Sequence, residues 1–139
     1  MTFLQALENV SDNVIKDAKT NLRNKNHIAT GSLRDSLNYT MKQNKNGVTI
    51  AFGGNDYSEW VDQGRKPGKG IPVDILKNWL KLKRLDTSLS YVINKKIREK
   101  GIDPTYFYTN ALNENIPAYD DAVDAYFDEI EAEFDIIFS

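Results

Sequence analysis

The loop at residues 64–70, GRKPGKG, places three cations among glycines and is the first candidate for chemistry. A nucleotide-binding phosphate loop has the pattern G-x-x-x-x-G-K followed by Ser or Thr, because backbone amides hold the phosphates and the hydroxyl binds magnesium. Here three residues instead of four separate Gly64 from Gly68, and Gly70 stands where the hydroxyl is needed. The loop therefore does not predict nucleotide hydrolysis.

Other candidate catalytic groups are few. The chain has no cysteine, and its one histidine, His27, lies in a polar stretch with no second histidine to share a metal ion. No serine has the context of a nucleophile elbow. Glu59 and Asp62 have the spacing of a general acid–base pair, but the sequence shows no pocket around them. We therefore expect no catalysis, no cofactor and no metal ion.

Four carboxylates recur near the C-terminus. Asp120, Asp121 and Asp124 share about one helical turn, and Asp128 lies one turn further along. Three such oxygen donors can hold a hard cation weakly. The same spacing is typical of the polar face of an amphipathic helix, which is the favoured interpretation.

Charge is distributed unevenly along the chain, whose formal net charge is −2. Residues 63–100 hold eleven basic residues and three acids, a net +8, whereas residues 113–139 hold nine acids and no lysine or arginine. Two interpretations stay open: two solvated faces of one domain attract each other, or each segment meets a complementary surface on another molecule.

Aromatic side chains accompany the basic segment. Tyr57, Trp60, Trp79 and Tyr91 lie within it or beside it, and basic residues with aromatics can contact phosphates and stack on bases. Trp79 falls on the apolar stripe of its helix, which favours a place in the core. A nucleic-acid-binding accessory protein that uses residues 65–100 is therefore the alternative function.

The elements that position these residues follow from the hydrophobic periodicity, which predicts an α+β fold. One domain over residues 1–139 is expected, with an N-terminal helix and a long C-terminal helix packed on a small antiparallel sheet. The first helix is predicted over residues 2–25. Alternating apolar residues on both sides of the Asn46–Gly47 dipeptide predict a β-hairpin, which the first helix would cover.

Three further elements are predicted between the hairpin and the C-terminal helix. Residues 57–61 fit a short helix or a third strand, and Pro72 is expected to open a helix. A following helix is expected to be capped by Asp86 or Thr87 and to end at Gly101. Its expected buried residues are Leu89, Val92, Ile93 and Ile97.

The last helix is expected to begin near Pro117, because a proline inside a helix costs about 3 kcal/mol. Its apolar residues follow a 4-3-4-3 rhythm and form either part of the core or a seam that faces a partner. They are Leu112, Ile116, Tyr119, Val123, Tyr126, Ile130, Phe134 and Ile137. The sequence predicts no signal peptide and no membrane span, since it has neither a basic leader before an apolar run nor an apolar run of about 18 residues.

Three segments, in order, resemble the minor tail-component or neck protein family of tailed bacteriophages, which is encoded among head–tail joining genes. The first, ATGSLRDSL at 29–37, is similar to the family's T-G-x-L-R-x-S stretch. The second, DYSEWVDQGRKPGKGIPVDILKNWLKLK at 56–83, resembles an aromatic-x-x-[FYW]-V-[ED]-x-G motif followed by a basic loop, a proline and a helix with L-x-x-W. The third, INKKIREKGIDPTYFYTNAL at 93–112, resembles I-x-x-K-G-[IT]-x-P-x-x-[FY]-x-x-x-A-[LI]. Trp60 and Asp62 stand where Tyr or Phe and Glu are expected.

The resemblance implies a non-catalytic α+β protein of the virion neck or tail, assembled in the host cytoplasm. Copies of it would form a ring between a portal-side connector or adaptor and the tail tube or tail terminator, with DNA as a passing strand in the channel. A ring subunit needs two different lateral surfaces. The +8 segment and the acidic C-terminal segment are candidates for them.

Two hypotheses assign residues to these contacts. In the first, aromatic residues anchor the loop and its cations project toward a neighbour, which gives the predicted set Tyr57, Trp60, Asp62, Gly64, Arg65, Lys66 and Lys69. In the second, the acidic helix either lines the channel, where it repels passing DNA, or serves contacts between subunits. Its predicted set is Asp120, Asp121, Asp124 and Asp128.

Overall fold

The computed structural model describes residues 1–24, 31–45 and 47–138, with side chains described through Ile130. His27, Asn46 of the predicted turn and the first two residues of ATGSLRDSL lie outside the described residues. The side chains of Phe134 and Ile137 lie outside them as well.

The elements confirm the predicted α+β class. In chain order they are α1 (Phe3–Arg23), α2 (Gly31–Ser36), β1 (Asn38–Asn44), β2 (Gly47–Gly53), α3 (Ser58–Gln63), α4 (Val73–Leu82), a 3-10 turn (Thr87–Leu89), α5 (Ser90–Lys100) and α6 (Phe107–Phe138). Across the described residues, no helix combines the length and the apolarity needed to cross a membrane.

Helix α1 forms as its sequence predicts. Thr2 and Gln5 make a reciprocal capping box, which satisfies two backbone amides at the first turn. One stripe of α1 is buried at three- and four-residue spacing: Leu7, Val10, Val14, Ala18 and Leu22. Helix α1 packs on α6, and Val14, Ala18 and Leu22 of this stripe belong to the hydrophobic core.

Helices α1 and α6 run antiparallel and are joined by side-chain contacts along the whole of α1. Asn21 Nδ2 donates to the Phe107 carbonyl at 3.0 Å, near the start of α6. The Ser11 and Tyr119 hydroxyls are 2.7 Å apart, and the rings of Phe3 and Tyr126 stack with centroids 4.4 Å apart. These contacts fix the register of the two helices, because each pairs a different turn of α1 with a different turn of α6.

The β-hairpin lies with one face on these helices, as predicted. Asn38 pairs with Gly53 and Asn44 with Gly47, and alternate side chains of both strands are half-buried. The Tyr39 hydroxyl donates to Asp12 Oδ1 on α1 at 2.9 Å. The Tyr108 hydroxyl, on α6, bonds the carbonyls of Gly53 at 2.7 Å and Asn38 at 3.1 Å. A single tyrosine thus ties α6 to the open end of the hairpin.

The prediction for α5 is right in its ends and wrong in its buried face. Asp86 caps the segment by accepting from the Ser88 amide, and Gly101 ends it with φ 74°. Leu89 and Val92, however, are 40% and 52% exposed, and Ile93 and Ile97 are only half-buried. The reason is that Asn94, on another face of α5, is buried.

The side chain of Asn94 determines which face of α5 is buried. Its Oδ1 accepts from the Ile71 amide at 2.9 Å, and its Nδ2 donates to the Ile71 carbonyl at 3.0 Å. A buried backbone amide and carbonyl need partners, and the side-chain amide supplies both. The face with Ser90 and Asn94 is therefore buried, in place of the more apolar face.

The prediction that the last helix begins near Pro117 is wrong. Helix α6 begins ten residues earlier, at Phe107, and contains Pro117. Phe107, Tyr108 and Ala111 are buried in this first part of α6, at 0%, 8% and 0% exposure. Burying two aromatic side chains stabilises the helix by about 1.5–3 kcal/mol each, which offsets the cost of about 3 kcal/mol for the proline.

Replacing Pro117 should stabilise the protein. Pro117 is exposed, so Pro117→Ala removes no buried contact, and it restores an amide donor to the helix interior. The gain is reduced by the greater freedom of the unfolded chain, which leaves an expected rise of about 2 kcal/mol in the free energy of unfolding. Chemical denaturation measures it. Pro72→Ala, at the N-cap of α4, is the control and should give no gain; equal effects of the two changes would contradict the explanation.

Two tyrosines should make the stability fall at high pH. Burial raises the pKa of Tyr108 to about 12, and burial together with the hydrogen bond to Asp12 raises the pKa of Tyr39 to about 12. Because these pKa values are raised in the folded protein, the unfolded chain loses its tyrosine protons first as the pH rises. The stability that the protonated tyrosines give to the folded protein is therefore fully present below pH 10 and is lost as pH rises toward 12. Denaturation between these pH values should show a weaker pH dependence for Tyr108→Phe than for the wild type. Tyr91→Phe, at a side chain 72% exposed, is the control and should keep the wild-type dependence.

Candidate protein-interaction site

The basic loop after α3 is held against the segment after α5. The Arg65 amide donates to the Ile102 carbonyl at 2.9 Å, and the Ile102 amide donates to the Arg65 carbonyl at 2.8 Å. The Gly68 amide donates to the Arg98 carbonyl, at the end of α5, at 2.7 Å. The loop is therefore part of the folded framework and is not a free lid.

Two glycines make this close approach of backbones feasible. Gly64 and Gly101 have φ values of 72° and 74°, in the region that favours glycine. A Cβ atom at Gly64 would collide with the Ile102 carbonyl, and one at Gly101 would collide with the Arg65 carbonyl. Gly64 thus permits the turn, and Gly101 supplies the matching space on the other side.

Asp62, one of the predicted interface residues, is a buried cap of α6. It is 7% exposed, and its Oδ1 accepts from the amides of Tyr108 and Thr109 at 2.9 and 3.0 Å. Its Oδ2 accepts from the Thr109 hydroxyl at 2.7 Å and from Gln63 Nε2 at 2.5 Å. A carboxylate at a helix N-terminus satisfies free amides and favours the positive end of the helix dipole. The carboxylate therefore holds α3 to α6, and any effect on a neighbouring molecule would be indirect.

An open apolar groove of about 250 Å³ lies between α3, α4 and α5. Tyr57 and Trp60 line it from the α3 side, Trp79 from α4, and Ile93 and Ile97 from α5. Tyr57 is 4% exposed and Trp60 and Trp79 are half-buried, so part of each tryptophan remains accessible. Tyr57 and Trp60, two of the predicted interface residues, thus form part of the groove wall.

Two cations lie over the tryptophans of this groove. The Arg65 guanidinium carbon is 5.8 Å from the Trp60 ring centroid, and Lys83 Nζ is 4.7 Å from the Trp79 ring centroid. Both are cation–π distances. Arg65 Nε is buried without a hydrogen-bond partner. Lys66 and Lys69 of the same loop are exposed.

The acidic residues of α6 are exposed and lie far along the helix. Asp120, Asp121, Asp124 and Asp128 all belong to its solvent-facing surface. With a rise of about 1.5 Å per residue, Asp120 is about 20 Å and Asp128 about 30 Å from the start of α6. Among the described side chains, the ion pair within 4.0 Å is Arg34–Asp35 at 3.9 Å. Within the described part of the chain, the acids of α6 therefore form no ion pair with the basic segment.

The described side chains offer no obvious metal centre. Among them, no three His, Cys, Asp or Glu side chains come close enough together to hold an ion. Glu59, the other member of the suggested acid–base pair, is exposed on α3, whereas Asp62 is buried. The two carboxylates thus face different environments.

The sequence predicted the basic loop and singled out the aromatic residues before it, but it did not predict the groove. The groove depends on the relative position of α4 and α5, which Asn94 sets through Ile71. It also missed Phe127, which is 57% exposed on α6. The available signal was its position four residues after Val123, which places both side chains on the same face of the helix.

Comparisons of the chain with protein-family models, with curated protein sequences and with solved structures give no match.

Removing the Asp62 carboxylate should destabilise the fold strongly. Asp62→Ala leaves two buried amides of α6 without acceptors, which should lower the free energy of unfolding by about 2–4 kcal/mol. Chemical denaturation is the measurement. Asp128→Ala, at an exposed carboxylate on the same helix, should change stability by no more than about 0.5 kcal/mol. A similar small effect at Asp62 would contradict the capping role.

Proposed function

We propose that this chain is a structural subunit of the head–tail interface of a tailed bacteriophage. Copies of it form a ring that joins or completes the tail and lets DNA pass. The observation that supports this most is that one subunit carries two oppositely charged surfaces which, among the described side chains, form no ion pair with each other. A building block of an assembly needs such surfaces, because its partners are other molecules.

The contacts of the motif residues add support. Asp62 and Arg65 belong to the second segment that resembles the phage neck family, and Ile102, Tyr108 and Thr109 belong to the third. In the fold these residues contact one another, through the cap of α6 and the backbone pair of the loop. The resemblance therefore falls on residues that build one structural unit, which carries the groove and the basic loop.

The two charged surfaces also favour a head-to-tail arrangement. The basic loop and the groove lie at the start of α6, whereas the exposed acids lie further along that helix. A contact between two such different surfaces is heterologous, and heterologous contacts produce rings when the rotation closes. Lys66 and Lys69 would then face a neighbouring subunit or an adjoining ring, such as the portal-side connector or the tail-tube end.

A nucleic-acid-binding accessory protein is the second candidate. Exposed lysines on α4 and α5, including Lys77, Lys81, Lys95 and Lys96, favour it. Because such binding is mainly electrostatic, affinity for plain duplex DNA would fall steeply with salt. Trp60 and Trp79 weigh against base stacking, since each is half-buried in the groove wall and is covered on one side by a cation.

Deleting the gene from the phage that encodes it tests the leading proposal. We expect DNA-filled heads and separate tails, which electron microscopy would count, and restoration of joined particles by the wild-type gene. Complementation with Lys66→Glu and Lys69→Glu together should reduce joined particles at least tenfold, because the two changes reverse the charge of the exposed loop.

The matched control is Lys42→Glu with Lys45→Glu, at two exposed lysines of the hairpin, and it should complement normally. Joined, infectious particles from the deletion strain would overturn the proposal. Binding of the purified protein to duplex DNA that weakens with salt, together with normal particles, would favour the second candidate.

A further inference from the structure

Helix α6 carries an apolar stripe that no described element covers. Ile116, Val123 and Phe127 are 50%, 36% and 57% exposed. Their spacing of seven and four residues places them on one face of the helix. Tyr119 and Tyr126 point to α1 instead, where they contact Ser11 and Phe3. The stripe therefore lies beside the α1 contact, which it meets where the rings of Phe127 and Tyr126 are 6.3 Å apart, and it contains only part of the predicted 4-3-4-3 seam.

Carboxylates border this stripe on one side. Asp120, Asp124 and Asp128 are exposed, and each lies within about one helical turn of Val123 or Phe127. An apolar stripe beside a row of acids is the pattern of an amphipathic helix that binds a basic-rimmed groove. Within the described residues, this side of α6 has no such groove facing it.

The acidic end of α6 also extends past α1. Tyr126 stacks on Phe3, the first residue of α1, and α6 continues for twelve residues beyond this contact to Phe138. At about 1.5 Å per residue this part is about 18 Å long. Phe127 and Asp128 are the first residues of this part, so they lie where α1 no longer covers the helix.

The groove has the properties that this helix end requires. Its lining is apolar, two half-buried tryptophans form part of its wall, and Arg65 and Lys83 lie over those tryptophans. The helix of the same molecule cannot enter it, because Asp62 fixes the start of α6 beside α3. Phe127 is twenty residues further along, about 30 Å from that point.

We propose that the groove binds the Val123–Phe127 stripe of a second copy of this chain. Phe127 is the apolar anchor near Trp60 and Trp79, and the acids beside it approach Arg65 and Lys83. The contact is heterologous, so each subunit gives its helix to one neighbour and receives the helix of the other. The inference rests on the proposed ring function and names the side chains that make the ring contact.

Self-association of the full-length protein tests this contact. Tryptophan fluorescence can report on it without an added label. The chain's two tryptophans, Trp60 and Trp79, both line the groove. We expect the sedimentation coefficient to rise between about 1 µM and 1 mM protein, the range in which weak interfaces dissociate. Tryptophan emission should shift to shorter wavelength over the same range, because docking excludes water from the two rings. Added salt should weaken the association.

Phe127→Ser should weaken the association at least tenfold and lower the thermal unfolding temperature of the monomer only slightly, since Phe127 is 57% exposed and touches the fold through the ring of Tyr126. Tyr91→Ser is the matched control: it also removes an exposed aromatic side chain, one that does not line the groove, and it should associate like the wild type. A wild type that stays monomeric over this range overturns the docking. So does association without a change in tryptophan emission, or with equal loss in both variants.

Cysteine cross-linking gives a second measurement, because the chain has no cysteine of its own. A Phe127→Cys protein mixed with an Ile93→Cys protein should form a disulfide-linked heterodimer under mild oxidation. Thr49→Cys, at an exposed site on the hairpin, should not link to either. Indiscriminate linking of all three overturns the docking.

The two proposals fail separately. If Phe127→Ser associates normally but deletion of the gene still separates heads from tails, the ring uses another surface and only the groove contact is wrong. If heads and tails join without the protein, the head–tail function is wrong, whatever the purified protein does.

Discussion

The carboxylate of Asp62 is the interaction on which the arrangement of this protein depends. It satisfies two amides at the start of α6 and the hydroxyl of Thr109, and it sits at the end of α3. Through it the long helix is fixed to the short helix that carries Trp60. Because a buried carboxylate without these donors would be costly, the position of α6 relative to α3 is fixed.

The basic loop is ordered by backbone hydrogen bonds, although its sequence is rich in glycine and proline. Glycines and prolines surround its cations, yet the Arg65–Ile102 backbone pair and the Gly68–Arg98 hydrogen bond hold it at both ends. A loop that is already ordered loses little conformational entropy when it binds. Its exposed lysines can therefore contribute to a contact through charge, while Arg65 remains on Trp60.

Local sequence patterns predicted the hairpin, α1 and the ends of α5, because periodicity and capping residues determine these features nearly alone. The start of α6 and the buried face of α5 could not be predicted in this way. Phe107 and Tyr108 gain more from burial than Pro117 costs, and Asn94 is buried because it pairs with Ile71, 23 residues away in sequence. Both outcomes depend on long-range contacts, and so does the groove. The basic loop was visible in the sequence, but the cap at Asp62 was not, since its partners lie 46 and 47 residues further along.

The packing of α1 on α6 has a consequence for synthesis of the chain. The ribosome releases α1 first, but the helix that covers its apolar stripe begins only at Phe107, more than eighty residues after Arg23. At about 5–20 residues per second, α1 remains uncovered for several seconds. The nascent chain therefore exposes Leu7, Val14 and Leu22 to chaperones and to other nascent chains until translation is nearly complete.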